Sequence, residues 1–257
     1  MRTFVIAGAM ALGLASLPLA AADAGSTWRV GIKASTAQVT AGSKVVFTGR
    51  VRPGAAAAGH KIVLQEKFKP GAKWADQKQA KVSGSGAYRV SDVPSTAFTH
   101  QYRVVMPATD HHAKGISPTV EVKVFAWTSL LVHTSVNDDG MYTGTVNING
   151  NAYDGSVYLG YDTNGSIEFN LNRHCTKLRT TLGLSDSSTT DGQGEVSIES
   201  DGSPVFSKTY DVGQSEVKTF SLGQAPLKVR LEAHNTSTTT GVVGYGAFGA
   251  PTVLCSH

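Results

Sequence analysis

The chain is poor in cysteine and tryptophan, shows no sustained helical period, and has no apolar run of membrane length beyond its first two dozen residues. Two cysteines among 257 residues, far apart in sequence, leave no Cys-x-x-Cys pair for thiol redox chemistry. Catalytic signatures are missing as well: there is no Gly-x-Ser-x-Gly elbow, no His-Glu-x-x-His and no Gly-x-x-x-x-Gly-Lys-Ser/Thr. Gly244-x-Gly246-x-x-Gly249 copies the dinucleotide fingerprint by letter, but Pro251 stands where a helix has to begin. Without that helix there is no N-terminus to hold a pyrophosphate. Carboxylate pairs such as Glu199 and Asp201 would need a cleft to serve a glycosidase. These absences point to a protein that binds and is not an enzyme.

What is present begins with Met1-Arg2-Thr3, a short positive start, followed by an apolar Gly/Ala-rich run from Phe4 to Leu19. That order reads as a signal peptide, residues 1–24, with cleavage after Ala22-Asp23-Ala24, and with Ala20-Ala21-Ala22 as a nearly equal site. The expected location is therefore secreted and extracellular, without a membrane span. In an oxidising compartment the two cysteines, Cys175 and Cys255, are read as one disulfide.

Charge divides the remainder. Residues 25–126 hold 15 Lys/Arg against 5 Asp/Glu, a net of +10, whereas residues 127–257 hold 7 against 13, a net of −6. Such a swing argues for two modules with different surfaces. The basic half shows period-two apolar residues at Val45/Phe47/Val51, Ile62/Leu64, Tyr88/Val90, Tyr102/Val104/Met106 and Val120/Val122/Val124, separated by turn clusters such as Arg-Pro-Gly at 52–54 and Lys-Pro-Gly at 69–71. About seven short strands in about a hundred residues predict an immunoglobulin-like β-sandwich over 25–126, and the half resembles the Ig-like repeats of bacterial secreted proteins. Val124-Phe125-Ala126-Trp127 lacks the Gly, Ser and Pro of a loose tether, so the junction is expected to be short and stiff, with Trp127 partly buried.

The acidic half, 127–257, alternates in the same way: Ile167/Phe169/Leu171 against Glu168/Asn170, and Leu227/Val229/Leu231 against Lys228/Arg230/Glu232. Its blocks Gly-Ser-Ile-Glu-Phe-Asn-Leu (165–171), Cys-Thr-Lys-Leu-Arg-Thr-Thr-Leu-Gly-Leu-Ser-Asp (175–186), Gly-Glu-Val-Ser-Ile-Glu-Ser-Asp-Gly (194–202) and Leu-Lys-Val-Arg-Leu-Glu-Ala (227–233) resemble, in order and spacing, the NPCBM family of carbohydrate-binding modules. The resemblance implies a galactose-binding-like jelly roll, a β-sandwich of the kind appended to secreted glycoside hydrolases. It departs from the family at Tyr158-Leu159-Gly160-Tyr161-Asp162, where a Gly-x-x-x-His element is usual, and at Gly244-Tyr245-Gly246-Ala247-Phe248, where an acidic, His-bearing turn leads to a Trp. The whole chain is thus expected to be all-β, two β-sandwich domains in series.

Sugar recognition needs flat apolar rings beside hydrogen-bonding side chains. Six of the eight tyrosines (Tyr142, Tyr153, Tyr158, Tyr161, Tyr210 and Tyr245) fall in the acidic half, which has no tryptophan beyond Trp127. The expected carbohydrate surface joins Tyr158, Tyr161, Asp162, Arg173, His174, Asn235 and Tyr245; the alternative for each tyrosine is an ordinary half-buried sandwich residue. Asp186, Asp191 and the Asn137-Asp138-Asp139 loop offer hard oxygen ligands for a structural calcium, although no EF-hand spacing links them. His111 and His112 are adjacent and read as a solvated loop. A net +10 half attracts polyanions, whereas specific nucleic-acid binding is not expected, because the aromatic residues are not interleaved with the basic ones. Together these features predict a non-catalytic protein that binds a glycan or cell-wall polymer. The alternative is a structural or protein-interaction β-scaffold without a glycan ligand.

Overall fold

The structure is a computed structural model and describes residues 26–68 and 71–257; the expected leader, and Lys69 and Pro70 of one predicted turn, lie outside the described residues. Among the described residues the first half forms β1 (Arg29–Val30), β2 (Lys33–Ala34), β3 (Gln38–Thr40), β4 (Val45–Arg52), β5 (Lys61–Lys67), β6 (Ala75–Lys81), β7 (Ala87–Asp92), β8 (Thr99–Met106), β9 (Gly115–Ile116) and β10 (Val120–Ser129). Among the described residues helix is limited to the four residues Gly54–Ala57 and a 3-10 turn at Leu130–Val132. In one sheet β4 pairs with β1 and β2 along one edge and with β7 along the other. Facing it, β10, β8, β5 and β6 pair in that order. Period-two alternation turns Val45, Phe47, Val51, Tyr88 and Val90 of the first sheet toward Ile62, Leu64, Tyr102, Val104, Met106, Val122 and Val124 of the second, and all are buried. Burying each such side chain is worth about 2 kcal/mol.

The second half forms β11 (Ser135–Asp139), β12 (Met141–Ile148), β13 (Asn151–Leu159), β14 (Asn164–Asn170), β15 (Cys175–Leu184), β16 (Gln193–Ser200), β17 (Ser203–Asp211), β18 (Ser215–Ser221), β19 (Lys228–Asn235) and β20 (Gly246–Cys255). One sheet runs β11-β14-β19-β16-β17, and the other carries β12, β13, β20, β15 and β18 as neighbours. A second core lies between them, with Ile167, Phe169, Val229, Leu231, Val196 and Ile198 from the first sheet and Val157, Leu178, Leu182, Phe248 and Val253 from the other. Leu227 departs from the predicted alternation: it precedes β19 and is 45% exposed. Glu168 departs too. It is buried, and Lys228 donates to both of its oxygens at 2.8 and 2.9 Å, which compensates the desolvation of the charge.

The two halves share β10. Its first residues, Val120 to Lys123, pair with β8, and its last, Ala126 to Ser129, pair with β20. Trp127 is half-buried there, with the Arg179 guanidinium 4.9 Å from its ring centre. Cys255 at the end of β20 faces Cys175 at the start of β15, and the two are joined by a disulfide. The bridge thus fixes the sheet at the place where β20 hands over to β10.

Candidate functional site

β12 and β13 form a hairpin around Asn149 and Gly150, whose φ values of 49° and 75° are those of a two-residue primed turn. A bulge between Gly144 and Val146 shifts the register and bends the hairpin tip over the outer face of its own sheet. There Val146 and Ile148 close on Ala247 with Tyr153 and Tyr158 against them. The strands beneath have lost bulk to admit the tip: a Cβ at Gly183 would press on Ile148, and one at Gly249 on Tyr153 and Ile148. The Gly150 N–H donates to the Asp186 carboxylate at 2.9 Å, and the Asp186 N–H donates to the Asn147 carbonyl at 2.9 Å. Asp186, weighed as a calcium ligand, is therefore a clasp on the hairpin.

The hairpin's parity puts tyrosines on the surface. Met141, Val157 and Leu159 point into the core and are buried, so Tyr142 and Tyr158 point out, directly opposite each other. Their ring centres are 6.2 Å apart with planes inclined by 25°, and Tyr161 stands edge-on to Tyr142 at 6.3 Å and 85°. Tyr161 is 89% exposed and Tyr142 44%. Gly160 makes the arrangement possible, since a Cβ there would fall within the Tyr142 ring. Polar groups follow immediately. The Asp162 carboxylate lies beside Gly140, and Asn164 opens β14 with its side-chain oxygen 2.9 Å from His234 Nδ1. Exposed rings beside a carboxylate, an amide and an imidazole suit a ligand with both apolar C–H faces and hydroxyl groups.

Of the seven residues expected to form the carbohydrate surface, Tyr158, Tyr161 and Asp162 come together, joined by Tyr142, which was not among them. Asn235 and Tyr245 lie at the same end but serve the scaffold. The Asn235 side-chain oxygen accepts from the Ser237 and Gly244 N–H groups at 3.2 and 2.9 Å, tying the ends of the 236–244 loop together. Tyr245 is half-buried against the core, and its backbone bonds to Ser185 and Ser188. Arg173 and His174 do not join the surface. They lie between β14 and β15 at the opposite end of the sandwich, His174 with its ring 5.8 Å from that of His257. The ten-residue β15 separates the ends by about 30 Å. The physical reason is antiparallel order: β14 carries the chain away from Tyr161, so the next loop opens at the far end.

Elsewhere, the first core holds a buried polar network. His100 Nε2 donates to the Thr96 carbonyl at 2.7 Å, His100 Nδ1 meets Glu66, and the Tyr102 hydroxyl bonds to Glu66 at 2.7 Å and Asp92 at 3.0 Å. Burial alone would push the His100 pKa down, but its hydrogen bonds to Glu66 and Thr96 and the nearby carboxylates outweigh this and hold it above the ordinary value. Glu66 is lowered despite its burial, because His100 and Tyr102 donate to it. Among the described residues, the one His/Cys/Asp/Glu group close enough to share an ion is His133 with Cys175 and Cys255, and the disulfide occupies both sulfurs.

The fold and this surface define an all-β protein that presents an aromatic platform at one end of a sandwich. Residues 90–240 match the NPCBM/NEW2 domain, and the chain belongs to that family. The match takes in all four blocks recognised in the sequence and begins in β7 of the first half. No curated protein matches the chain. Among solved structures it is similar to the CBM51-2 and INT domains of Clostridium perfringens ZmpB (7% identity, TM-score 0.41, 64% of this chain and 39% of that one). It is also similar to CBM51 of Clostridium perfringens GH95 in complex with methyl-galactose (14% identity, TM-score 0.39, 49% and 99%). A third is the CBM36-1 domain of a multidomain xylanase from the hindgut metagenome of Trinervitermes trinervoides (17% identity, TM-score 0.32, 50% and 95%). The chain spans about two fifths of the length of the first of these. Likenesses this distant assign no residue.

Proposed function

We propose that the protein is an exported, non-catalytic glycan-binding protein whose ligand stacks on Tyr142, Tyr158 and Tyr161. The observation that carries this reading is the ring cluster itself, three tyrosines on one outward surface with Asp162 in the adjoining loop. Ring faces cover the C–H side of a pyranose, while Asp162, Asn164 and His234 reach its hydroxyls. Membership of a carbohydrate-binding-module family supports the ligand class, and the leader-like residues 1–24 support export. In this reading the second half is a jelly roll that holds the glycan. The first half is an Ig-like sandwich that spaces it from a cell wall or extracellular polymer, with the continuous β10 as a stiff joint.

The test is a glycan array probed with residues 25–257, followed by titration calorimetry on the best neutral sugar with Tyr142→Ala and Tyr161→Ala. Each truncation is expected to weaken binding about tenfold, the loss of roughly 1.4 kcal/mol of ring contact. Retention of full affinity by the double variant, or no retained glycan at all, would refute the assignment.

A further inference from the structure

The outer face of the first sheet gathers cations without carboxylates. Arg29 and Arg52 are direct cross-strand partners in β1 and β4, a like-charge pairing that costs stability unless something lies between the charges. Arg50 shares the face two residues along β4, and Lys33 of β2 and Arg89 of β7 flank Thr48 from either side. Arg29, Lys33, Arg50 and Arg52 line an open groove of about 760 Å³. On the core side of β4, the missing side chain of Gly49 leaves space for the Tyr88 hydroxyl to donate to the Gly31 carbonyl.

Among the described residues these cations form no ion pair. The ion pairs among the described residues are His100–Glu66, Lys208–Glu216, Lys228–Glu168 and Arg230–Glu232, none of them in the groove. Four of the five carboxylates of this half are engaged elsewhere: Glu66 and Asp92 with Tyr102, Asp76 with Gln65, and Glu121 with Gln101; the fifth, Asp110, lies in the turn between β8 and β9. Charge that merely aided solubility would be interspersed with the opposite sign. Here one sign is concentrated on a concave surface.

We propose that this groove binds an acidic polysaccharide through its carboxylates. Four of the five cations are arginines, whose planar fork meets a carboxylate with two parallel hydrogen bonds. Alternate positions on β4 place Arg50 and Arg52 about 7 Å apart, a spacing that suits a chain in which sugars carry carboxylates at regular intervals. Single-stranded nucleic acid is disfavoured because the groove offers no ring for base stacking; Tyr88, its one aromatic, is 4% exposed. The choice of a sugar polymer over other polyanions rests on the glycan-binding reading above, whereas the location of the anion site does not.

Residues 25–257 would be titrated with polygalacturonate, with neutral dextran and with a DNA duplex. Variant Arg29→Gln/Arg52→Gln would be compared with Lys61→Gln/Lys81→Gln, which removes the same charge from an exposed pair on the opposing sheet. The expected result is a loss of about tenfold or more in polygalacturonate affinity for the arginine variant and less than about twofold for the lysine variant, with affinity falling steeply with salt. Equal losses in the two variants would reduce the effect to net charge and overturn the site. Equal binding of the DNA duplex would overturn the choice of polymer, as would retention on dextran that the arginine variant keeps. Binding of a neutral sugar that is lost in Tyr161→Ala and kept in the arginine variant separates the two surfaces, so either reading can fail alone.

Discussion

Removing the disulfide measures how much of the second half's stability comes from chain constraint. Cys175 and Cys255 are 80 residues apart, both fully buried, and they face each other across β15 and β20. Closing an 80-residue loop removes about 15 cal/mol/K from the entropy of the unfolded chain, which is about 4.5 kcal/mol at 25 °C. The pairing of β20 with β10, β13 and β15 rests on backbone hydrogen bonds that substitution leaves in place, so Cys175→Ala/Cys255→Ala should fold and be weaker. With a urea slope of about 2.5 kcal/mol/M, the midpoint should fall by roughly 2 M. Trp127, beside Arg179 on β10, is the fluorescent reporter of the transition. A shift below roughly 0.5 M would refute the chain-entropy account and mean that the sheet, not the bridge, holds the chain's end.

Gly160→Val should displace the Tyr142 ring and lower affinity for the neutral glycan about tenfold, with far-UV circular dichroism unchanged; unchanged affinity would detach Tyr142 from the ligand. Asn235→Ala leaves the Ser237 and Gly244 N–H groups unbonded, at a cost of about 2 kcal/mol, and should speed amide exchange across residues 236–244, whereas Asn235→Asp, which keeps the acceptor, should exchange more slowly than the alanine variant. The His100 network makes stability depend on pH. A histidine raised above its ordinary 6.5 contributes fully below that value and loses the contribution as pH rises through its folded value, while Glu66, lowered from 4.5, contributes above that value and loses it as pH falls. The network's contribution is thus largest between these two ordinary values. His100→Gln should cost about 3 kcal/mol in that window and flatten the alkaline fall. His133 works in the opposite sense, because burial and the nearby His257 and His174 push it down, so the informative quantity is the difference between the wild type and the variant.

Most of the strand pattern was legible because the signal is short-range. Val45, Phe47, Ile62, Leu64, Ile167, Phe169 and Leu231 alternate with polar neighbours, and each is buried as that alternation requires. The cysteine pairing was legible because only one bridge was available. The grouping of the candidate residues was legible in part, and the misplacements share a cause. Which loops meet depends on strand direction, and residues near in sequence can fall at opposite ends of a sandwich. His174 is thirteen residues after Tyr161, yet one intervening strand puts it at the other end. Counting crossings would have found this. Tyr142 carried a signal as well: outward from the Asn149–Gly150 turn, one bulge residue brings it opposite Tyr158. Asn235 carried none, since its role depends on a loop closure between residues 235 and 244 that no local pattern announces.

The same rule of alternating ends bears on how the two proposed surfaces could act together. In the first half, the Ala41 N–H donates to the Phe125 carbonyl and the Gly42 N–H to the Pro94 carbonyl, so the start of β4 lies beside the shared strand and Arg52 lies at the far end. In the second half, Cys255 and Cys175 mark the end nearest β10, and Tyr158, opposite Ala247, lies eight residues of β20 away from it. The arginine groove and the tyrosine surface therefore lie at the ends of their strands away from the shared β10, one at the far end of β4 and the other eight residues along β20, each strand stretch being about 26 Å long. β10 is hydrogen-bonded on both sides of the crossing, to β8 before it and to β20 after it, so the span is set by a paired strand and not by a slack linker. Two ligand surfaces held at a fixed distance cannot both close on one short oligosaccharide. They can engage two chains, or two stretches of one long chain, and mixing the protein with polygalacturonate and the neutral glycan polymer together should then raise viscosity above the sum of the separate mixtures, an excess that either Arg29→Gln/Arg52→Gln or Tyr161→Ala alone abolishes.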